Sequence, residues 1–252
     1  MFHLVDAYAI FAITWVAGTH VTVPAFAAAP VFDALRDRRV TVSNVASTMV
    51  TLLLADPAVG KADASSLEML SCGGAPLSAA TVLSALATFD CEFFLSYGMT
   101  ECCGKISMSL VDEATRDRVR VVGARDGSNV PTVEKPLEAD ADAVDVAPGS
   151  DGVGEVWIRG PTLFSGYNNN AKATAEAITP DGWFRTGDLA KVNEMSYLTI
   201  TDRAKDMILV GSENVYCVEV ERVLNDHPAV KLATVYGMPD DAMGERVKAV
   251  VV

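Results

Sequence analysis

The chain has 252 residues, half of them hydrophobic and 7% aromatic, and a net charge of −13 with a pI near 4.6. That length buries a substantial core and predicts one large domain, or one domain plus a piece of another. The acidic balance argues against nucleic acid or an anionic membrane surface as partner, while a small anionic ligand can still be held by backbone N–H groups, a few cations or a metal.

The chain opens with "AYAIFAITWVAG" (7–18) followed by "PAFAAAP" (24–30), an apolar core and small-residue segment that imitate a signal peptide. "MFHLVD" lacks a positive leader and carries Asp6, and the apolar run is too short to span a bilayer before Pro24. The reading is a buried helix leading to a strand, "HVTVPAF" (20–26), with no membrane insertion and a cytoplasmic location.

From there to about residue 100, strand-like and helix-like runs alternate: "PVFDALRDRRV", "VTVSNVAS", "TMVTLLLAD", "LEMLSCGGAPLSAATVLSALATF" and "CEFFLSYGMTE". Strand, helix, strand at these lengths predicts βαβ units and a mostly parallel sheet. Ligands in such folds sit at the carboxyl ends of strands, so "LSCGGAP" and "LSYGMTE" are both candidate rims. Between about 119 and 201 the pattern shifts to short alternating segments, "GEVWIRG" and "YLTITDR", which predict a β-rich subdomain. Residues 138–155, with six acidic and no basic side chains, read as a solvated loop. After Arg203 come a strand "KDMILVG", a helix "CVEVERVLNDHP" and strands "VKLATVYGMP" and "RVKAVVV".

Five cysteines (72, 91, 102, 103, 217) without Cys-x-x-Cys spacing, and three histidines without a metal-ligand pattern, predict free thiols in a reducing compartment. The Cys102–Cys103 pair reads as small buried thiols rather than a redox device.

The chemistry concentrates in three stretches. "SYGMTE" (96–101) offers a ring for stacking, a glycine for close approach, a hydroxyl and a hard oxygen ligand; the alternative is a turn with a solvated Glu. "CGGAP" (72–76) is a turn of bare backbone, or simply tight strand-to-helix packing. "WFRTGDLA" places Gly187 before Asp188 at the start of a strand, an exposed carboxylate that could accept both hydroxyls of a ribose or cap a turn.

Five segments in order, "SCGGAPLS", "SYGMTE", "GEVWIRGPTLFSGYNNN", "GWFRTGDLA" and "TDRAKDMILVGSENVYCVEVERVL", resemble the adenylate-forming enzymes: acyl-CoA synthetases, beetle luciferases and peptide-synthetase adenylation domains. The resemblance implies an α/β fold: part of the large N-terminal domain over 1–202, with a βαβ subdomain at 1–118 and a β-rich one at 119–202, followed by the start of a small α+β C-terminal domain at 203–252. It implies ATP, Mg²⁺ and coenzyme A as cofactors and a small carboxylic acid as substrate. By resemblance Gly74, Ala75 and Pro76 line the adenine pocket beside Tyr97 and Gly98, with Tyr97 stacking on the purine. Thr100 bonds a phosphate oxygen and Glu101 ligates Mg²⁺. Asp188 and Arg203 hold the ribose, Lys205 is the hinge and Gly211 opens the pantetheine tunnel. His3, Gly73 and Gly104 face the acyl group.

The implied activity is two-step acyl-CoA ligation, with a peptide-synthetase adenylation domain or a non-catalytic nucleotide-binding remnant as alternatives. The family's phosphate loop would lie upstream of Met1 and its C-terminal lysine beyond Val252, so the expectation is the middle of such a ligase. Other departures are Met195 and Ser196 in place of Asp-Gly, Ser212 for a second glycine and Cys217 for a proline.

Overall fold

The computed structural model describes residues 4–75, 77–108, 132–133, 149–150, 152–194, 198–211 and 213–252. They divide into two compact units, Met1–Val130 with Thr162–Phe164, and Pro131–Pro161 with Ser165–Val252.

In the first unit, α1 (Leu4–Trp15) and α2 (Ala28–Arg38) precede β1 (Val42–Ala46), α3 (Ser47–Ala55), β2 (Met69–Gly73), α4 (Ala79–Phe89), β3 (Glu92–Met99) and β4 (Gly104–Met108). The sheet runs β1-β2-β3-β4; the first three strands are parallel, as the alternation predicts, and β4 returns antiparallel. Both α2 and α4 end on a left-handed residue, Arg39 and Asp90, and α4 begins where the Ser78 hydroxyl accepts the Thr81 N–H at 3.1 Å. The core lies where α2, α3 and α4 meet β1, β2 and β3, around Phe32, Val50, Leu53, Val82, Phe89 and Phe93. Leu70, Ser71 and Cys72 are all buried, the run without alternation that a central parallel strand requires.

Two expectations fail here. Residues 20–26 form no strand: Val21 and Val23 alternate correctly, but Pro24 lacks a ladder donor and no described strand lies beside the segment. The helix α1 forms but is not buried, with Phe11 75% and Trp15 91% exposed. It is apolar on every side, so packing against β1 and β4 leaves part of that apolar surface in solvent.

The second unit holds an antiparallel sheet in the order β5-β6-β7-β8, made of β5 (Thr132–Val133), β6 (Gly154–Arg159), β7 (Phe184–Val192) and β8 (Leu198–Arg203). The helix α5 (Ala171–Ala177) starts where Asn170 Oδ1 accepts the Ala173 N–H at 3.1 Å. Beyond β8 come β9 (Ile208–Val210), β10 (Glu213–Val215), α6 (Cys217–Asn225), β11 (Ala233–Asp240) and β12 (Gly244–Val251), with sheet order β10-β9-β12-β11. Ile208, Cys217 and Val235 form the small core beneath α6. Buried Asp202 ties β8 to that helix by accepting the Cys217 N–H.

Candidate functional site

In the first unit the predicted residues converge because neighbouring strands end together. Gly73 at the end of β2 pairs with Ser96 on β3, and Met99 at the end of β3 pairs with Gly104 on β4. A side chain at 73 would overlap the Ser96 hydroxyl, which donates to the Cys72 carbonyl at 3.1 Å. Gly74 follows at φ +90°, and the Ala75 carbonyl accepts from the buried Ser47 hydroxyl. Gly74 and Ala75 are exposed and present bare backbone. On β3, Tyr97 is half-buried, and Gly98 lies so close to β4 that a Cβ would overlap the Gly104 carbonyl.

Beyond it, Thr100–Cys102 form one 3-10 turn closed by left-handed Cys103, whose N–H reaches the Thr100 carbonyl at 3.1 Å. The Glu101 carbonyl accepts the Phe164 N–H at 2.8 Å. Thr100 is exposed and Glu101 half-buried, so a hydroxyl and a carboxylate stand on one turn beside an aromatic ring.

In the second unit Asp188 does not start a strand; it sits in the middle of β7, and it is only 6% exposed rather than solvated. On β6, Glu155 pairs with Leu189 and Trp157 with Arg185, so two intervals on β6 face four on β7. Three residues, Thr186 to Asp188, stand against the single Val156, and the segment, two residues in surplus, bulges out with Gly187 at φ +74°. On the other side Asp188 pairs with Arg203, whose Nε lies 3.2 Å from Asp188 Oδ1 and whose side chain is 60% exposed. The Ala204 N–H donates to the Gly187 carbonyl at 2.7 Å. The carboxylate of the bulge and the guanidinium at the end of β8 are therefore held side by side.

Lys205 is exposed in the turn after β8, and Gly211 (φ +64°) donates its N–H to the Met243 carbonyl at 2.7 Å. His3 and Pro76 lie outside the described residues, as do Met195, Ser196, Ser212 and most of 138–155. Cys72, Cys91, Cys102 and Cys217 are free thiols pushed up by burial, those of Cys91 and Cys217 to about 11. Cys102 is buried as read, whereas Cys103 is exposed at the turn.

No group of three or more His, Cys, Asp and Glu that could cage a metal exists among the described residues. The Glu101 carboxylate with the Thr100 hydroxyl is an all-oxygen set of one charge, which suits an ion such as Mg²⁺ that keeps its waters and shares substrate phosphates. No helix among the described residues is long and apolar enough to cross a membrane.

Two charged residues escape a motif reading. Glu155 is 8% exposed and accepts hydrogen bonds on both oxygens, from Trp157 Nε1 at 2.7 Å and the Gly187 N–H at 2.8 Å. Lys105 on β4 reaches Ser71 Oγ at 2.6 Å and Asn44 Oδ1 at 3.3 Å, and burial lowers its amine to about 8. Glu155 closes the acidic stretch 138–155 that reads as a solvated loop, yet it is a buried residue of β6; Lys105 had no sequence signal, because its contacts depend on strand order.

Residues 1–168 match the AMP-binding enzyme family, and residues 219–252 match the AMP-binding enzyme C-terminal domain. The chain is 39% identical to a fatty acid–[acyl-carrier-protein] ligase of Streptomyces coeruleorubidus, over 93% of this chain and 44% of that protein. It is 37% identical to a feruloyl-CoA synthase of an Amycolatopsis species, over 93% and 46%. The structure of o-succinylbenzoate CoA synthetase from Bacillus subtilis with its acyl-adenylate superposes with a TM-score of 0.81 at 28% identity, over 99% of this chain and 49% of that one. The chain thus spans about half the length of the curated relatives it matches.

Proposed function

The chain belongs to the AMP-binding enzyme family and has the α/β fold of adenylate-forming enzymes over about half their length, and from that premise we propose that it serves ATP-dependent activation of a carboxylic acid and transfer of the acyl group to coenzyme A. Residues 1–202 are then part of the adenylation domain and 203–252 the beginning of the C-terminal domain. The acid carboxylate attacks the α-phosphorus of ATP and displaces pyrophosphate, giving an acyl-adenylate. The thiol of coenzyme A then attacks the acyl carbon, AMP leaves, and the thiol proton passes to solvent.

Each proposed role follows from what the residue presents. Tyr97 supplies a face for the purine, next to the bare backbone of Gly73, Gly74 and Ala75. Gly98 lets β3 and β4 close on each other beside the turn whose Thr100 hydroxyl bonds a phosphate oxygen, and Gly104, at the start of β4, borders the acyl group. Magnesium held by Glu101 would neutralise phosphate charge during displacement. Asp188 accepts from the ribose hydroxyls, and Arg203 fixes its carboxylate while reaching the ribose itself. Lys205, two residues past the end of β8, is the proposed hinge and Gly211 the proposed border of the pantetheine path, and the family resemblance gives His3 a role toward the acyl group.

The observation that carries this reading is the Asp188–Arg203 pair on its bulge: a strand spends two extra residues to present a mostly buried acceptor. The test is calorimetric binding of AMP to the full chain and to Asp188→Ala. Charged hydrogen bonds contribute about 1.5–3 kcal/mol, so the variant should lose about tenfold or more in affinity. Thermal stability should change little, because Arg203 remains solvated. Equal affinities would remove Asp188 from the site. Acid-dependent pyrophosphate release, with and without coenzyme A, then tests the two steps.

A further inference from the structure

We propose that Glu155 is a positioning residue for the ribose site: its buried carboxylate replaces the strand partner that the β7 bulge has lost, and so sets where Asp188 stands. The inference rests on the ribose role given to Asp188 above.

The bulge creates a hydrogen-bonding problem. Between the Glu155–Leu189 and Trp157–Arg185 pairs, β6 has one residue, Val156, while β7 has three. The backbone groups of those three cannot all find ladder partners on β6, yet buried backbone groups need partners. Side chains supply them. Thr186 Oγ1 donates to the Val156 carbonyl at 2.7 Å and accepts the Asp188 N–H at 3.1 Å. The Gly187 N–H goes to Glu155 Oε1 at 2.8 Å. The second Glu155 oxygen accepts Trp157 Nε1 at 2.7 Å, and the Arg185 guanidinium lies 4.8 Å from the centre of the Trp157 ring.

Glu155 is thus clamped at one end by the indole and holds the bulge at the other. The Gly187 peptide is fixed from both sides, by Glu155 at its N–H and by the Ala204 N–H at its carbonyl. Asp188 is the next residue along. Its side-chain direction is set by that peptide, and a carboxylate that must meet two vicinal hydroxyls tolerates little drift.

The chemistry also predicts its own rescue. A carboxylate offers an acceptor to each of two N–H donors; a carboxamide offers one oxygen and an NH₂ that faces the other donor. Glu155→Gln must therefore abandon either Trp157 or Gly187. Trp157→Phe keeps a ring under Arg185 but removes the indole donor, freeing the single amide oxygen for Gly187.

The experiment is calorimetry on the full chain with AMP and 2′-deoxyAMP, comparing wild type, Asp188→Ala, Glu155→Gln, Trp157→Phe and the double variant. Wild type should favour AMP by about tenfold or more, since one charged hydrogen bond is at stake. Asp188→Ala should bring the ratio near one, Glu155→Gln should move it most of the way there, and Trp157→Phe, which loses the clamp but keeps the acceptor for Gly187, should lower it less than Glu155→Gln does. The double variant should recover several-fold over Glu155→Gln alone. A Glu155→Gln ratio equal to wild type, or a double variant no better than the single, overturns the positioning role while leaving the ribose role intact. A wild type that holds both nucleotides equally, or neither, overturns the ribose role and the proposal with it.

Discussion

The turn from β3 to β4 and the bulge on β7 both break the regular spacing of a sheet to present polar groups, by opposite means. At the first, side chains are deleted: Gly73 lies against Ser96 and Gly98 against Gly104, and the strands approach until only hydrogen atoms fit between them. At the second, residues are added, and the backbone groups left over are satisfied by Glu155 and Thr186. The first device relies on close packing, which tolerates no added volume. The second relies on hydrogen bonds to a buried carboxylate, which tolerate volume but not loss of an acceptor.

That difference predicts different responses to the same substitution. In Gly98→Ala the new methyl meets the Gly104 carbonyl and the Lys105 Cα, backbone that cannot rotate away, so β3 and β4 must separate. We expect a loss of about 3 kcal/mol or more in urea unfolding, with the Tyr97–Glu101 segment displaced. Gly187→Ala meets nothing within 4 Å, and its cost is the left-handed backbone at φ +74° alone. It should lose about 1–2 kcal/mol. Equal costs for the two would mean that room at Gly98 is not what the first region depends on.

Much of this was readable in the residues. The alternating runs gave β1, β2, β3 and the helices between them, because parallel strands buried on both faces read as short apolar blocks. The segments "SCGGAPLS" and "SYGMTE" point to the first half of the candidate site, since glycines at strand ends and a polar turn are local features. Asp188 was found, but its setting was misread: an acid after glycine looks like a solvated turn, and only strand pairing reveals the bulge that buries it. "HVTVPAF" has the period of a strand, but no strand among the described residues pairs with it. Lys105 reaches Ser71 and Asn44, and Glu155 reaches Gly187, across strands far apart in the chain, which no single stretch can disclose.

Lys105 gives the smallest and most specific expectation, and it depends on the close packing of the first region. It pairs with Gly98, and paired residues project from the same face, so the missing side chain at 98 leaves the lysine stem a path across β3 to Ser71 on β2. The ammonium arrives half-buried, and burial lowers its pKa from 10.5 to about 8. Below pH 8 both folded and unfolded chains hold the proton, and the cost of burying the charge is present in full. Between about pH 8 and 10.5 the unfolded chain keeps a proton that the folded chain has released, so this group makes stability rise with pH. The raised thiols of Cys72, Cys91, Cys102 and Cys217 act in the opposite direction above pH 9, since the folded chain then holds protons the unfolded chain loses. Those of Cys91, Cys102 and Cys217 are common to wild type and Lys105→Met and cancel in the difference, while the Cys72 thiol, which the Lys105 charge lowers, rises further in the variant and adds to the same trend. Urea midpoints at pH 7, 8.5 and 10 should therefore show wild type gaining on Lys105→Met as pH rises. Parallel curves would mean that the amine is solvated in the folded chain, and that the space opposite Gly98 serves the strands alone.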